Sequence, residues 1–304
     1  MTDRPVLASG FIAIARVFQA WRIWLCLTLL FAGLGAAFVL PVYGDLRDAL
    51  DRLPGARGEF GAMMLDEVER LRDGVRPSID SWGLIALGLW IFFAGGAATI
   101  GGVVDRRERV RPRAIRVSDF FAQSGRYVFA SLRTWLVFVV LVLAWRWIWG
   151  DIAVPILEKR FVHGGDETAL FRYDVLREAI FAIGVWKLWM LRRLALTHLV
   201  AFERRSAIRA WFSAIGFLFF HPIRCLLGFG IVTLVGVLGL AACSFVLKFA
   251  GDRLWAGAIA GLLAVATYQL ALLAAYAVAR LLIDTRRDLE VVHLKDPLML
   301  ESAA

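Results

Sequence analysis

Six apolar runs interrupt an otherwise polar chain, at roughly residues 23–44, 82–104, 133–150, 176–202, 223–247 and 255–283. Each lies near or above the ~20 residues a helix needs to cross a ~30 Å hydrocarbon core, so each predicts a transmembrane helix. The fourth run is the weakest, because Lys187, Arg192 and Arg193 break it. Between runs the spacing changes. Ile208, Trp211, Phe212, Ile215 and Phe219 recur at helical intervals with Arg209 off their stripe, which predicts an amphipathic helix in the membrane interface. The stretch Glu59–Arg72, with Met63, Met64 and Val68 apolar, predicts a short surface helix by the same spacing. The tail after Arg287 is polar, contains Pro297 and is expected to be loosely ordered. The expected fold is all-α, a polytopic bundle forming one transmembrane domain over residues 1–304.

Charge adds orientation. Of the 35 Lys and Arg, 21 fall on the N-terminal side of the membrane, counting those at span ends. The opposite side holds 12, and Arg146 and Lys187 fall within spans. Cytoplasmic loops carry the Lys/Arg excess, so both termini are expected in the cytoplasm of a bacterial inner membrane. Arg16 and Arg22 precede an apolar run longer than a signal-peptide core, which reads as a retained first helix. The net charge of +9 would suit nucleic acid only if the basic residues clustered on a soluble face. They sit between apolar runs instead, so nucleic acid is not an expected partner. Composition agrees: 60% hydrophobic residues and a mean hydropathy of +0.68 exceed what a soluble domain can cover with polar surface. The partner this implies is the lipid bilayer.

A threefold internal repeat runs through the chain. Phe18-x-x-x-Arg22-x-Trp-Leu, Phe129-x-x-x-Arg133-x-Trp-Leu and Phe220-x-x-x-Arg224-x-Leu-Leu open the odd-numbered spans. An apolar residue, an acid and a nearby Arg close the even-numbered ones, at Val104-Asp105-Arg106, Phe202-Glu203-Arg204 and Ile283-Asp284-Thr285-Arg286. The pattern predicts three parallel hairpins, in units of about 5–107, 112–205 and 206–287, each preceded by a cytoplasmic interfacial helix. Arg22, Arg133 and Arg224 suit snorkelling into head groups. They also suit pairing with Asp105, Glu203 and Asp284 at the same depth, or contact with anionic lipid head groups.

Within the spans, polar residues are few enough to name. Lys187 and His198 are eleven residues apart, three helical turns, which predicts one stripe facing the bundle or a wet cavity. Gln269, Tyr276 and Arg280 share a stripe of the sixth span and are expected to hydrogen-bond between helices or line a path. Ala94-x-x-x-Ala98-x-x-x-Gly102, Gly257-x-x-x-Gly261 and Ala271-x-x-x-Ala275-x-x-x-Ala279 predict close helix packing. Trp21, Trp24, Trp145, Trp147 and Trp149 mark interfaces. His163, Asp166 and Glu167 lack a further outer histidine to complete a metal site. The three cysteines fall in or beside apolar runs and form no framework. Neither a cofactor nor catalytic residues are expected.

The run Phe202-Glu203-Arg204-Arg205-Ser206-Ala207, then Phe220-His221-Pro222-Ile223-Arg224 and a Gly/Leu-rich helix, resembles a family of uncharacterised six-helix bacterial inner-membrane proteins. It is also similar to the membrane domain of some glycerophosphodiester phosphodiesterases, whose catalytic domain this chain does not contain. The resemblance implies a six-helix topology and no catalytic residues. The function expected first is a non-catalytic membrane scaffold or subunit of an assembly, with other membrane subunits or further copies of the chain as partners. The second expectation is a transporter with a polar path along the fourth and sixth spans.

Overall fold

The computed structural model describes residues 8–51, 84–99, 116–161, 167–202, 206–250 and 254–300. Nearly all are helical, and no strand occurs among them. The helices are α1 Ala8–Gln19, α2 Trp21–Asp51, α3 Leu84–Ala97, α4 Val117–Arg126 and α5 Val128–Trp147. A π-helix Ile148–Ala153 follows, then α6 Val154–Phe161, α7 Glu167–Ala201, α8 Ala207–Phe220, α9 Pro222–Ala250 and α10 Leu254–Leu300. Asp105, Glu203, His163 and the Glu59–Arg72 segment lie outside the described residues, as does the side chain of Asp284.

Three helical stretches are long and apolar enough to cross a membrane: Val128–Lys159, Pro222–Val246 and Gly257–Ile283. The α1–α2 pair makes a fourth if its two arms, bent by 81°, count as one span. At 35 residues α7 is long enough, but Lys187, Arg192 and Arg193 interrupt it. Leu136, Val140 and Leu143 on α5, and Leu234, Val237 and Leu238 on α9, are each more than half exposed. Water rejects such continuous apolar faces, and lipid accepts them. The chain is a helical membrane protein.

Each of three short helices precedes a long one across a local break whose chemistry is readable. Ser206 caps α8, its Oγ accepting the Arg209 backbone N–H. Pro222 then opens α9, where the missing N–H costs nothing, and holds His221 out of the helical region. The short helices are not free amphipathic rods. The α8 stripe divides: Ile208, Phe212, Ile215 and Phe219 are exposed, whereas Trp211 turns inward with Ala207, Ala210, Ala214 and Phe217. Small alanines let that second face sit directly on α7.

The docking pattern of the short helices is cyclic. Helix α8 touches α5 and α7, the pair before it, and α1 touches α9 and α10, the last pair in the chain. Helix α4 touches α2 and packs on α3, where Phe120 stacks on Phe93 at 6.0 Å. Glycines permit two of these approaches, since a Cβ at Gly10 would stand 2.9 Å from the Ile231 side chain and one at Gly96 2.8 Å from the Phe120 carbonyl.

This arrangement sets α3, α7 and α10 at the centre. Residues 93–98, 192–200 and 272–279 are buried on every side, while α5 and α9 form the outer wall. One expectation changes in the sixth span. Helix α10 has 47 residues, ~70 Å, and continues as helix to Leu300 through the tail expected to be loose. Helix-favouring Leu, Glu, Arg and Lys fill that tail, and Pro297 falls within its last turn, so the hydrogen bond it removes lies at the helix end.

Candidate functional site

Two adjacent arginines lie in the middle of the bundle. Arg192 and Arg193 are each 1% exposed. They stand nine and eight residues before the end of α7, ~12 Å along its axis. The buried stretches of α3 and α10 are rich in small residues, Ala94, Gly95, Gly96 and Ala97, and Ala274, Ala275 and Ala277, which lets these helices pack closely.

Aromatic faces enclose both cations. The Arg193 guanidinium carbon lies 3.6 Å from the Trp189 ring centroid and 4.7 Å from that of Tyr276. Trp189 is one helical turn earlier on the same face of α7, so local geometry alone makes this stack. Arg193 Nη1 donates to the Leu272 carbonyl of α10 at 2.8 Å, fixing the side chain between helices. Arg192 lies 4.8 Å from the Trp90 ring of α3 and 5.7 Å from Phe138 of α5. Four helices therefore meet around one pair of charges.

Hydrogen-bond accounting leaves a surplus of donors. Among the described residues, Nε and Nη2 of Arg192, Nε of Arg193 and Nε1 of Trp90 are sealed from solvent and meet no acceptor. The described carboxylates Asp119, Asp151, Glu158, Asp174 and Glu178 lie on α4, the π-helix, α6 and the outer third of α7. None of them pairs with either arginine. A charged group at bilayer depth costs about 2.5–3.5 kcal/mol even on the permissive insertion scale. Cation–π contacts, about 2 kcal/mol when desolvated, offset that only in part.

The anticipated site residues divide around this pair. Tyr276 belongs to it directly, and Gln269, 1% exposed, lies one turn from Leu272 on the same helix. His198 is buried further along α7, its ring stacked on Phe202 at 5.5 Å and meeting Phe217 of α8 at 6.0 Å. Arg280 is half-buried. Lys187 departs from expectation: it is exposed and makes no ion pair or hydrogen bond among the described residues, so it does not share an inward stripe with His198. The eleven-residue rule assumes a helix with one buried face, whereas α7 is buried all round from residue 192 onward and open before 190.

Arg22, Arg133 and Arg224 stand near the starts of α2, α5 and α9, away from the central pair, with Arg22 5.6 Å from the Trp21 ring. Sequence reasoning counted Arg192 and Arg193 with the inner loop residues, although removing them leaves the loop asymmetry intact. The signal that would have marked them is Trp189-x-x-x-Arg193, a stacked pair within an apolar run. Trp145 also does more than anchor. Its Nε1 donates to the Phe181 carbonyl at 3.3 Å, and its indole lies directly over Gly184, so α5 and α7 close where glycine permits.

Fold and site define a class, an all-helical membrane protein with a guanidinium pair sealed in an aromatic core. No family model, curated protein or solved structure matches the chain, so the residues themselves carry the functional argument.

Proposed function

We propose that this is a six-span bacterial inner-membrane protein of three repeated units, and that it is a permease whose path follows the α7–α10 seam. The units are the segments of about 5–107, 112–205 and 206–287, with both termini cytoplasmic. Supporting the repeat, each unit has a short helix, a long wall helix and a central return helix. Each short helix also contacts the pair that precedes it, the first unit closing onto the last. Parallel repeats about an axis normal to the membrane occur in transporters, although repeats alone do not imply transport.

The observation that carries the permease reading is the Arg192–Arg193 pair, buried at mid-bundle without a described carboxylate. A scaffold needs adhesive surfaces, and two desolvated cations on one helix are a costly way to provide them. Ionisable residues at that depth mark a path or a site by default. In this reading Gln269 and Tyr276 line the same seam, and Lys187 lies outside it.

Two experiments test this. Reporter fusions after Arg116, Ser206 and Ala304 are expected to report cytoplasm, and fusions near Arg57 and Gly164 the outside; one reversed reporter removes the six-span model. Proteoliposomes placed in iso-osmotic potassium acetate, choline chloride or glycerol, with valinomycin present, are expected to swell faster than protein-free vesicles in the acetate alone. Vesicles that stay as tight as protein-free ones in all three solutes return the protein to the scaffold reading.

A further inference from the structure

We propose that the Nε–Nη2 edge of Arg192 is a binding site for an oxyanion, a group carrying two oxygens on one carbon or phosphorus atom. The inference rests on the permease reading of the same core and names what the core recognises. A guanidinium presents two parallel N–H groups along that edge, and their spacing matches two oxygens of a carboxylate or phosphate. In Arg192 both atoms are buried and meet no acceptor among the described residues. Arg193 differs, because its Nη1 is already committed to the Leu272 carbonyl. One arginine is thus anchored and its neighbour keeps its bidentate edge available.

The surrounding donors favour the same ligand. Nε of Arg193 and Nε1 of Trp90 are sealed and without an acceptor, and the Trp90 ring lies within 4.8 Å and 5.9 Å of the two guanidinium carbons. Three side chains from two helices therefore supply four N–H donors to one neighbourhood. Two fixed positive charges repel a cation, and a neutral solute would leave their charge uncompensated at depth. An oxyanion both neutralises charge and accepts several hydrogen bonds at once.

Trp90 and Phe138 cover Arg192 in this conformation. Arg192 is 1% exposed and lies ~13 Å in from the end of α7, sealed between Trp90 of α3 and Phe138 of α5, which favours a small soluble anion over a lipid phosphate.

The test uses the full-length protein in detergent, with its thermal midpoint followed against potassium phosphate and, separately, potassium acetate, each compared with potassium chloride at matched ionic strength. A saturable rise with either oxyanion beyond that in chloride is expected. Arg192→Lys, which keeps the charge and loses the fork, should weaken the response at least tenfold. Trp90→Phe, which keeps the ring and loses one donor, should weaken it severalfold. Arg192→Gln should abolish it; if that variant does not fold, the lysine and phenylalanine variants decide. Equal shifts in phosphate, acetate and chloride overturn the proposal, as does an oxyanion response unchanged in Arg192→Lys.

Repeating the phosphate titration in nanodiscs of phosphatidylcholine, with and without phosphatidylglycerol, separates the sources. Equal affinity in both supports a free anion, and competition by phosphatidylglycerol supports the same site filled by a head group. Oxyanion binding without vesicle swelling keeps this site and removes the permease. Swelling in acetate that persists in Arg192→Lys, with no binding, keeps the permease and removes this site.

Discussion

The two halves of α7 share one backbone and meet different fates. From Phe171 to Lys187 most side chains are exposed or half-buried, whereas every residue from Arg192 to Val200 is buried. The outer half carries Arg172, Asp174, Arg177 and Glu178, with Arg177 bridging Asp174 at 3.3 Å and Glu178 at 3.1 Å on an open surface. The inner half carries Arg192 and Arg193 with rings and a backbone carbonyl around them. Burial on this helix therefore varies along its axis rather than around it. The same gradient runs along α3, where Leu84 is 69% exposed and Ala97 fully buried. Helices that converge at one end and diverge at the other produce it.

Glycine substitutions along α3 give the largest expected contrast. A Cβ at Gly96 would press on Ser124 Oγ and lie 2.8 Å from the Phe120 carbonyl and 2.9 Å from its ring. Backbone cannot yield there as a long side chain can, so Gly96→Val is expected to cost about 3 kcal/mol. Gly88, eight residues earlier, has nothing within 4 Å of a built Cβ. Gly88→Ala should be neutral or stabilise by up to about 1 kcal/mol, because alanine favours the helix. Equilibrium unfolding in mixed micelles measures both, and similar values for the pair would mean that α3 is not drawn tight against α4.

How much of this was legible depends on what kind of pattern encoded it. Span-forming runs were readable because length and apolarity suffice: expected spans 133–150, 223–247 and 255–283 fall within Val128–Lys159, Pro222–Ala250 and Leu254–Leu300. The break at Pro222 before α9 and the Ser206 cap of α8 are signals that the sequence carried but that were not used in reading it. The side of a span that faces inward was much harder to read. Helices α5 and α9 are apolar all round, so periodicity carries little information about which side faces neighbours. Lys187 and His198 obeyed the spacing rule and still separated. Of the site, Tyr276 and Gln269 were legible as polar residues on an Ala/Leu helix. Arg192 was not, because arginines near a helix end have the same sequence signature whether they snorkel outward or turn into the core.

The smallest expected effects come from the two charges that sequence alone could not rank, and their difference sharpens the contrast within α7. Arg193→Met removes a charged hydrogen bond to Leu272 and the stack on Trp189, losses of about 1.5–3 and about 2 kcal/mol. It also relieves a buried charge, which returns about 3 kcal/mol on the insertion scale. The balance predicts a net loss of about 0.5–2 kcal/mol. Lys187→Met deletes a charge that is exposed on the bundle and has no described partner, so nothing is stranded and no cavity opens. Its removal is expected to be neutral or stabilising, because the insertion scale penalises an exposed ammonium at span depth. Unfolding in mixed micelles resolves the two, and abundance in the membrane provides an independent reading. A Lys187→Met loss equal to that of Arg193→Met would place a structural charge in the open half of α7, and burial along its axis would no longer explain which of its charges matter.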